Sequence, residues 1–483
     1  MILLKKKPTF LFYDYETFGI HTSLDKPAQF ACIRTDINLN ILDNPECFYC
    51  FPSDDYLPDP YSILITNITP QYTQKHGMNE YNFSRKIHSI LTQPHTCIIG
   101  YNNINFDDEI TRNIFYRNFL DSYEWSWRNE NSRWDLLNLL RVCYALRPDG
   151  IKWPRNELGL PSFKLSDLTK INNIMHFNAH DAMSDVYATI EMAKLIKKKQ
   201  PKLFDFFFKM RNKNELYKLI NLKKNEPIFY VSSFFGAARR NISCILPITW
   251  HQKNKNILIS IDLFKDIEKL IFLCRKINFE SDFIKNLFDL GIVLVYFNRC
   301  PILAPMKTIR KEDYDRLNFN IYSCNEKVNF FKKNLFFIKN IQVIFSKENN
   351  SNKSSNVDLQ IYDSFFNVHD KKIIKTIRDS KPCFLKNFSF DFNDPRLKTL
   401  LFRYRARNFY ETLEKNEKKI WLKHCFKILN PFSLKEYQKK IECLLKENSS
   451  NIKKTTLLRK LLDYVLKKYQ KLYYESINLN QCV

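Results

Sequence analysis

Strand-like and helix-like hydrophobic patterns alternate over the first two hundred residues of the chain. Short runs that are rich in aromatic and branched apolar residues, bounded by turn residues, are typical of strands; they occupy segments 10–16, 29–35, 46–51 and 96–100. Apolar positions recur with the period of a helix in segments 80–91, 107–118, 135–146, 162–171 and 179–199. The alternation predicts a small sheet covered by helices, which is the α/β layer arrangement.

The pattern changes at residues 197–201, Lys-Lys-Lys-Gln-Pro. Cations in the last turn and a following proline are helix stop signals, so we place a domain boundary here. Strand-like runs then predict a small β-rich domain, at segments 228–232, 257–261 and 292–297. The polar segment 346–356 is typical of a linker or an exposed loop, and helical spacing continues from it to the C-terminus. We therefore expect three domains, at residues 1–200, 201–350 and 351–483.

The charge is divided unevenly between these parts. The 483 residues carry a net charge of +25, yet residues 1–200 hold 22 basic and 23 acidic side chains, whereas residues 201–483 hold 54 and 28. A neutral first module followed by basic ones suggests that the first carries out the chemistry and the others hold a polyanion. Compositional drift toward Lys, Asn and Ile is the alternative explanation, although drift does not explain why residues 1–200 escaped it.

The composition also excludes several classes of protein. No run approaches the roughly 18 consecutive apolar residues of a membrane span, and the N-terminal order of apolar residues before lysines is wrong for a secretory signal. Thirteen scattered cysteines, with Cys47 and Cys50 forming the one C-x-x-C, indicate reduced thiols rather than a zinc site or a disulfide framework. We therefore expect a cytoplasmic protein without a membrane segment.

Three acidic groups stand out in the first domain. Asp14 and Glu16 lie two apart on a predicted strand, so their side chains leave the same face of the sheet. Two adjacent carboxylates repel each other unless a cation lies between them, and hard divalent cations prefer such oxygens. A second group, at 107–108, opens a predicted helix, and Asp185 follows His180 by five residues at the start of another. A single acid at a helix start is more often a cap than a ligand, but three groups in this order predict a metal site.

His180 and Asp185 can share a site only if their helix begins irregularly. On a regular helix, residues five apart point about 140° away from each other. The sequence allows His180 to lie in an irregular first turn, with Asn178 as the N-cap and Asp181 returning the bond as in a capping box. An exposed histidine without a function is the alternative interpretation of His180.

The acidic groups resemble the active-site motifs of the four-carboxylate 3′→5′ exonucleases that use a histidine base. The matching motifs are Asp14-x-Glu16-Thr17, Asn102 to Asp107 and His180-x4-Asp185. Similarity to the bacterial exodeoxyribonuclease I family extends over essentially the whole chain and is densest in residues 1–200. It is carried by segments 14–19, 26–31, 64–70, 100–103, 111–119, 131–137, 178–183 and 404–409.

The resemblance implies a multidomain protein of mixed α/β and α+β class, with a ribonuclease-H-like exonuclease domain, an SH3-like β domain and a C-terminal helical domain. It implies a processive enzyme that releases 5′-mononucleotides from the 3′ end of single-stranded DNA, with a role in DNA repair and recombination. The implied partners are single-stranded DNA and the single-strand DNA-binding protein, and the implied enzyme is a monomer.

The resemblance also implies the roles of the site residues. Two Mg²⁺ ions, or Mn²⁺ as a substitute, would clamp the attacking and leaving oxygens of the phosphodiester. Asp14 would bridge the ions, Glu16 and Asp185 would hold the first, and Asp107, rather than Asp108, would serve the second. His180 would take the proton from the attacking water.

Predictions about substrate contacts depend on weaker signals. Exposed aromatic residues stack on bases, which favours one or two of the aromatics in segment 123–127. Arg112 lies one helical turn beyond Asp108 and could pair with a phosphate, and Lys164 stands where relatives carry arginine. Lys213 could guide the strand, although solvated surface charge is the alternative. The full set of candidate contacts is Glu16, Arg112, Tyr123, Trp127, Arg141, Lys164 and Lys213.

Two other functions remain open at this point. A 3′→5′ RNA exonuclease of the same superfamily would differ in what faces the 2′-hydroxyl, which the sequence does not show. A nucleic-acid-binding protein with a dead nuclease fold is the second alternative. The intact set of acids and histidine argues against it, because decayed nucleases usually lose one or more of these residues.

Overall fold

The first domain is built on a five-stranded mixed sheet. In the computed structural model, which describes residues 7–346 and 354–481, its strands are β1 (Thr9–Thr17), β2 (Pro27–Thr35), β3 (Glu46–Tyr49), β4 (Thr96–Gly100) and β5 (Ser132–Asp135). They lie in the order β3-β2-β1-β4-β5, with β1 antiparallel to β2 and parallel to β4. Alternate residues of β1 enter two separate cores, because Phe10 and Phe12 pack on one face and Leu11 and Tyr13 on the other. Both faces of the central strand are therefore buried.

Helices cover both faces of this sheet. They are α1 (Pro60–Thr66), α2 (Pro70–His76), α3 (Glu80–Leu91), α4 (Asp107–Arg117), α5 (Leu136–Leu146), α6 (Leu165–Ile171) and α7 (Ala182–Lys199). Helix α7 packs directly against β1 and β2, whereas α3 and α4 cover the opposite face. This arrangement brings the start of α4 and the start of α7 to the end of β1 that carries the strand acids. The predicted helix at 80–91 is confirmed at both ends.

The second domain is an antiparallel sheet with helices around it. Helices α8 (Pro201–Met210) and α9 (Lys213–Tyr217) connect it to the first domain. Its strands are β6 (Ile228–Val231), β7 (Ile242–Trp250), β8 (Ile257–Asp262), β9 (Ile292–Tyr296) and β10 (Ile302–Pro305), in the order β10-β6-β7-β8-β9. Its helices are α10 (Ile267–Leu273), α11 (Ser281–Leu290), α12 (Ile321–Lys332) and α13 (Phe336–Ser346). The strands expected near 228, 257 and 292 are confirmed, whereas β7 and β10 lack a prediction.

The third domain is helical over its described length. Its helices are α14 (Val368–Asp379), α15 (Pro395–Asn408), α16 (Lys415–Ile428), α17 (Pro431–Glu447) and α18 (Ile452–Gln481). Most of the predicted linker, 346–356, lies outside the described residues. Among the helices that the structure describes, none has both the length and the apolar character needed to cross a bilayer.

The domains share apolar contacts rather than meeting only through polar surfaces. Phe18 and Ile63 of the first domain pack in one cluster with Leu458 and Leu461 of α18. Helix α8 lies at the junction with the second domain, where the ring of Phe204 packs on Trp134 with centroids 5.0 Å apart. The first domain is thus held on two sides by the rest of the chain.

A buried arginine fastens the third domain to the first. Arg407 of α15 donates to the carboxylates of Asp55 and Asp358, at 2.7 and 2.6 Å. Burial alone would raise the pKa of Asp55, but the charge of Arg407, together with the hydrogen bond from His424 and the charge of Lys26, holds that pKa well below its usual value. Removal of this arginine would leave the buried carboxylate of Asp55 without its guanidinium partner and would take one of two arginines from Asp358, which also pairs with Arg403.

Arg407→Ala is therefore expected to destabilise the protein by about 3–5 kcal/mol, the usual result of breaking a buried ion pair from one side. The urea midpoint of the full chain measures the effect. Arg459→Ala, which removes an exposed arginine of α18, is the matched control and should stay within about 0.5 kcal/mol of the unmodified protein. A urea midpoint of Arg407→Ala equal to that of Arg459→Ala would contradict this account.

Candidate active site

The two strand acids and Asp107 converge at one end of β1. Asp14 and Glu16 share a face of the strand, and Glu16 is 8% exposed. Between them, the backbone N–H of Tyr15 donates to Oδ1 of Asp107 at 3.1 Å, which ties the first residue of α4 to the strand. The three carboxylates line a cavity of about 250 Å³ together with His180 and Asp185. All five residues predicted for catalysis therefore face a single cavity.

The neighbouring acid, Asp108, has a different environment. Its side chain is fully buried and accepts hydrogen bonds from the Tyr13 hydroxyl at 2.5 Å and from Nδ2 of Asn103 at 3.2 Å. It also pairs with Arg133. Because its oxygens are already bonded within the core, Asp108 fixes the start of α4 and does not line the cavity.

His180 and Asp185 come together because the chain turns sharply before α7. His180 has a φ of +67°, in the left-handed region, and lies two residues before the first helical residue. Ligand-capable atoms of Glu16, His180 and Asp185 all lie within 4.8 Å of one another. The predicted N-cap is wrong: Asp181, not Asn178, caps α7 by accepting from the backbone N–H groups of residues 183 and 184. The turn at His180 occupies the place where the expected capping box would have formed.

The carboxylates of the cavity favour a proton or a cation. Burial raises the pKa of Asp14 well above its usual value, and repulsion from Asp107 and Glu16 adds to the shift. Burial likewise raises the pKa of Glu16, with Asp185 the strongest repelling neighbour. The pKa of Asp107 is raised to about 8, chiefly by burial. Hard oxygen donors crowded in this way fit a divalent cation such as Mg²⁺ or Mn²⁺, which would supply the missing positive charge.

Metal binding should therefore stabilise the protein more strongly as the pH rises. The unfolded Asp107 carboxyl titrates near about 3.9, but the folded group titrates at about 8. Without metal, the native state holds a proton across this window that the unfolded chain has lost, so the stability it contributes at low pH is lost as the pH rises. Saturating Mg²⁺ binds the charged form and restores that stability.

Melting temperatures measured with and without Mg²⁺ between about pH 6 and pH 8 check this expectation. The increment from Mg²⁺ should grow with pH in the unmodified protein and should shrink in Asp107→Asn. An increment that is equal in both proteins at every pH would contradict the placement of a cation beside Asp107.

Comparison with known proteins then identifies the family. Three family models match consecutive parts of the chain: Exonuclease at residues 11–193, Exonuclease I SH3-like domain at residues 211–347 and Exonuclease I C-terminal domain at residues 355–468. The chain is 67% identical over 479 residues to exodeoxyribonuclease I of Buchnera aphidicola subsp. Schizaphis graminum, covering 99% of each chain. The chain belongs to the exodeoxyribonuclease I family.

Solved structures of this family superpose on the whole molecule. The zinc-bound form of the Escherichia coli exonuclease I complex with single-stranded DNA aligns with a TM-score of 0.90 at 46% identity, covering 96% of this chain and 100% of that one. A crystal structure of SSB/exonuclease I with the inhibitor CFAM also gives a TM-score of 0.90 at 46% identity, with the same coverage. The expected exonuclease, SH3-like and helical C-terminal domains are confirmed, and with them the enzyme class, a DNA exonuclease.

One candidate contact lies away from the cavity. Arg112 pairs with Glu109, and the other oxygen of Glu109 accepts from the Tyr362 hydroxyl of the third domain. Arg112 was expected to face the site because it lies one helical turn beyond Asp108. This expectation is wrong, because Asp108 itself points into the core toward Arg133. Arg112 instead lies at the junction of the first and third domains.

The aromatic segment 123–127 divides into buried and exposed positions. Trp125 is buried, and its indole N–H donates to the backbone carbonyl of Ser122 at 3.0 Å. Tyr123 packs edge-to-face on Phe365 of the third domain, with centroids 5.7 Å apart. Trp127 is 62% exposed. Of the three aromatics, Trp127 offers the most open face for a base.

The basic candidates lie apart from one another. Arg141 lines a cavity of about 350 Å³ between the first and second domains, which also includes Phe234 and Arg299. Lys164 is exposed at the N-cap of α6. Lys213, at the start of α9, donates to the side chain of Asn256 and lies over the ring of Tyr217. These residues are spread over two domains, as contacts to an extended strand would be.

Two residues of the site carry no sequence signal of their own. His176 lies in the loop before α7 and contacts Oδ1 of Asp185 through Nε2 at 2.5 Å. Gln29 of β2 accepts from the backbone N–H of Ala182 at 3.2 Å, which holds the first turn of α7 against the sheet. Neither residue is acidic or part of a repeating hydrophobic pattern, so the search for grouped acids does not find them. Only the position of His176, four residues before His180, sets it near the site in the sequence.

Proposed function

We propose that this protein is a magnesium-dependent 3′→5′ exonuclease that degrades single-stranded DNA processively to 5′-mononucleotides. The observation that carries the proposal is the convergence of Glu16, His180 and Asp185 within 4.8 Å, in a cavity that Asp14 and Asp107 also line. Family membership supports the same reading, since the relatives share both the domains and the name exodeoxyribonuclease I. The proposal includes a role in DNA repair and recombination, which the family resemblance implies.

Four carboxylates would hold the metal. Asp14 is close enough to Glu16 and Asp107 to be repelled by both and would serve both of two ions, while Glu16 and Asp185 would hold the first and Asp107 the second. When bound, divalent ions would supply positive charge to the attacking and leaving oxygens of the phosphodiester. The buried wall of β1 keeps the carboxylates fixed, because Tyr15 holds Asp107 through its backbone N–H. The protein therefore supplies a preorganised set of carboxylate ligands for divalent cations.

His180 would act as the general base. It is exposed, on a turn rather than within α7, so its ring borders both solvent and the cavity. A histidine in this position can take the proton of a water that attacks the phosphodiester joining the 3′-terminal nucleotide to the strand. The turn at φ +67° places it beside Asp185, which five residues on a regular helix would not do.

The second and third domains would hold the strand between cleavage events. They carry most of the basic residues, 54 of the 76 in the chain. Of the individual contacts that we propose, Lys213 lies in the second domain, and the others, Glu16, Tyr123, Trp127, Arg141 and Lys164, lie in the first domain near the cleavage site. Binding by such charges releases counterions and is weakened by salt, whereas the metal-dependent step is less sensitive.

Salt should therefore shorten the run length before it slows the chemical step. We expect the number of nucleotides removed per binding event to fall several-fold between about 50 and 200 mM salt. Single-turnover cleavage of a saturated short oligonucleotide should change little over the same range. Processivity assays with a competitor trap measure the first quantity, and rapid quench measures the second. Equal salt sensitivity of both would show that the basic domains do not act as the clamp.

The partner and the compartment follow from the family. A relative has been crystallised as SSB/exonuclease I, so we propose the single-strand DNA-binding protein as a partner of this chain too. A monomer acting in the cytoplasm, where bacterial DNA lies, fits this role.

The direct test uses purified full-length protein with Mg²⁺. Single-stranded DNA labelled at its 3′ or 5′ end is compared with RNA of the same sequence. The 3′ label should appear first as a mononucleotide, and the 5′ label should pass from full-length strands to the short end product with few intermediate lengths. RNA should be degraded far more slowly, and EDTA should stop the reaction. Early release of the 5′ label, or preference for RNA, would overturn the proposal.

A further inference from the structure

His176 links three elements around the proposed metal site. Its side chain is 5% exposed, and Nε2 lies 2.5 Å from Oδ1 of Asp185 on α7. On the other edge of the ring, Nδ1 lies 3.2 Å from Oγ1 of Thr169 on α6. The same loop continues to His180 four residues later. The ring therefore connects α6, the loop that carries His180, and the carboxylate of α7.

The hydrogen-bond pattern fixes which nitrogen donates to Asp185. With a cation bound, Asp185 is an ionised carboxylate and has no hydrogen, so the bond at Oδ1 must come from an N–H at Nε2. The hydroxyl of Thr169 can donate to Nδ1, which leaves the imidazole neutral. Alternatively, it donates to the backbone carbonyls of Leu165 or Ser166, at 2.9 and 3.0 Å, and then accepts from Nδ1–H. In both cases Nε2 carries a hydrogen and is unavailable as a proton acceptor.

We propose that His176 is a positioning residue that fixes the Asp185 carboxylate for metal binding. This inference rests on the metal role proposed for Asp185. One oxygen of Asp185 is engaged by His176, so the carboxylate has a single orientation in which its other oxygen remains for a cation. Groups that orient metal ligands typically contribute 10- to 100-fold in metal affinity or activity. His176 acts through Asp185 and takes no proton from the substrate water, a role that belongs to His180.

Substitutions at position 176 separate orientation from packing. His176→Ala removes the N–H, whereas His176→Gln keeps an amide N–H on a side chain that can reach Asp185. His95→Ala is the matched control, since His95 also bonds a carboxylate, Glu130, but sits beside Thr9 at the end of β1 opposite to Asp14. Melting temperatures and DNA binding in EDTA establish that each full-length variant is folded.

The decisive measurement is Mn²⁺ binding to the DNA-free protein, followed by the electron paramagnetic resonance signal of the free ion. His176→Ala should bind Mn²⁺ about 10- to 100-fold more weakly than the unmodified protein. His176→Gln should recover most of that affinity, and His95→Ala should match the unmodified protein. The Mg²⁺ concentration for half-maximal cleavage should shift in the same order.

Three results would overturn the inference, each in a different way. Equal Mn²⁺ affinity of His176→Ala and the unmodified protein would remove the positioning role while leaving the proposed function intact. Equal losses in the Ala and Gln variants would show that ring packing, not the hydrogen bond, matters. Absence of Mn²⁺ binding by the unmodified protein would overturn the metal role of Asp185 itself and this inference with it.

Discussion

Asp14→Asn is expected to abolish DNA hydrolysis and to leave DNA binding intact. Asp14 lines the carboxylate cavity, and burial together with repulsion from Asp107 and Glu16 raises its pKa. No neighbouring acid can replace it, because each of the others is fixed by its own element. Loss of one preorganised electrostatic group typically costs about 10²–10³ in rate, so loss of a shared metal ligand should cost at least about 10³. The basic domains still hold the strand.

The same substitution should not destabilise the metal-free fold. An asparagine has the shape of aspartate without its charge, and the native state of Asp14 already disfavours that charge. We expect an unchanged or higher melting temperature in EDTA. Single-turnover cleavage, DNA affinity and melting are measured beside Asp463→Asn, which neutralises an exposed acid of α18. Cleavage that survives in Asp14→Asn at a tenth of the normal rate would refute the assignment.

His180→Ala should slow cleavage by about two to four orders of magnitude, the usual contribution of a general base. Part of the loss should return at high pH, where hydroxide replaces the water that needs a base. Because a nitrogen of His180 lies within 4.8 Å of carboxylate oxygens of Glu16 and Asp185, a role as a metal ligand is the competing explanation.

Metal binding distinguishes the two roles of His180. A base can be removed without loss of Mn²⁺ affinity, whereas removal of a ligand weakens binding along with cleavage. We expect the Mn²⁺ affinity of His180→Ala to match that of the His95→Ala control, while its cleavage rate falls and recovers in part with pH. A flat pH profile with weakened Mn²⁺ binding would assign His180 to the metal.

The fold was predictable where sequence period and element length agree. Helix α3 has the expected bounds because its apolar face repeats over twelve residues and Asn79 caps it. Helices α1 and α2 were missed because each is only seven residues long and begins with a proline, which in sequence resembles a turn. Strand β5 was missed because its four residues run directly into α5, and its Asp135 is the cap of that helix.

The candidate site was predictable to the extent that charge and spacing define it. The alternation along β1 places Asp14 and Glu16 on one face, whatever lies around them. The contacts of His176 depend on how a loop folds back on α7, and no local pattern contains that information. The position of Arg112 was predicted wrongly for a related reason. Helical spacing places Arg112 on the same face as Asp108, but the sequence does not show that this face points away from the cavity.

The division of labour between neutral and basic parts cannot be tested with an isolated first domain. Phe18 and Ile63 pack with Leu458 and Leu461, so a fragment ending near Pro201 would expose an apolar face that the third domain covers. Residues 1–200 therefore differ from the rest of the chain in charge and proposed role, but they do not form a structurally separate unit. Salt dependence of the full-length enzyme is the appropriate measurement.

The central claim, that the carboxylate cavity at the end of β1 holds the catalytic metal, is tested most directly by crystals grown with Mn²⁺ and a short single-stranded oligonucleotide. The anomalous scattering of manganese marks each bound ion independently of the surrounding density. The account predicts peaks in contact with Asp14, one of them shared with Glu16 and Asp185 and another beside Asp107, next to the phosphodiester of the 3′-terminal nucleotide. Peaks confined to other surfaces, or a 3′-terminal phosphodiester bound away from these carboxylates, would contradict it.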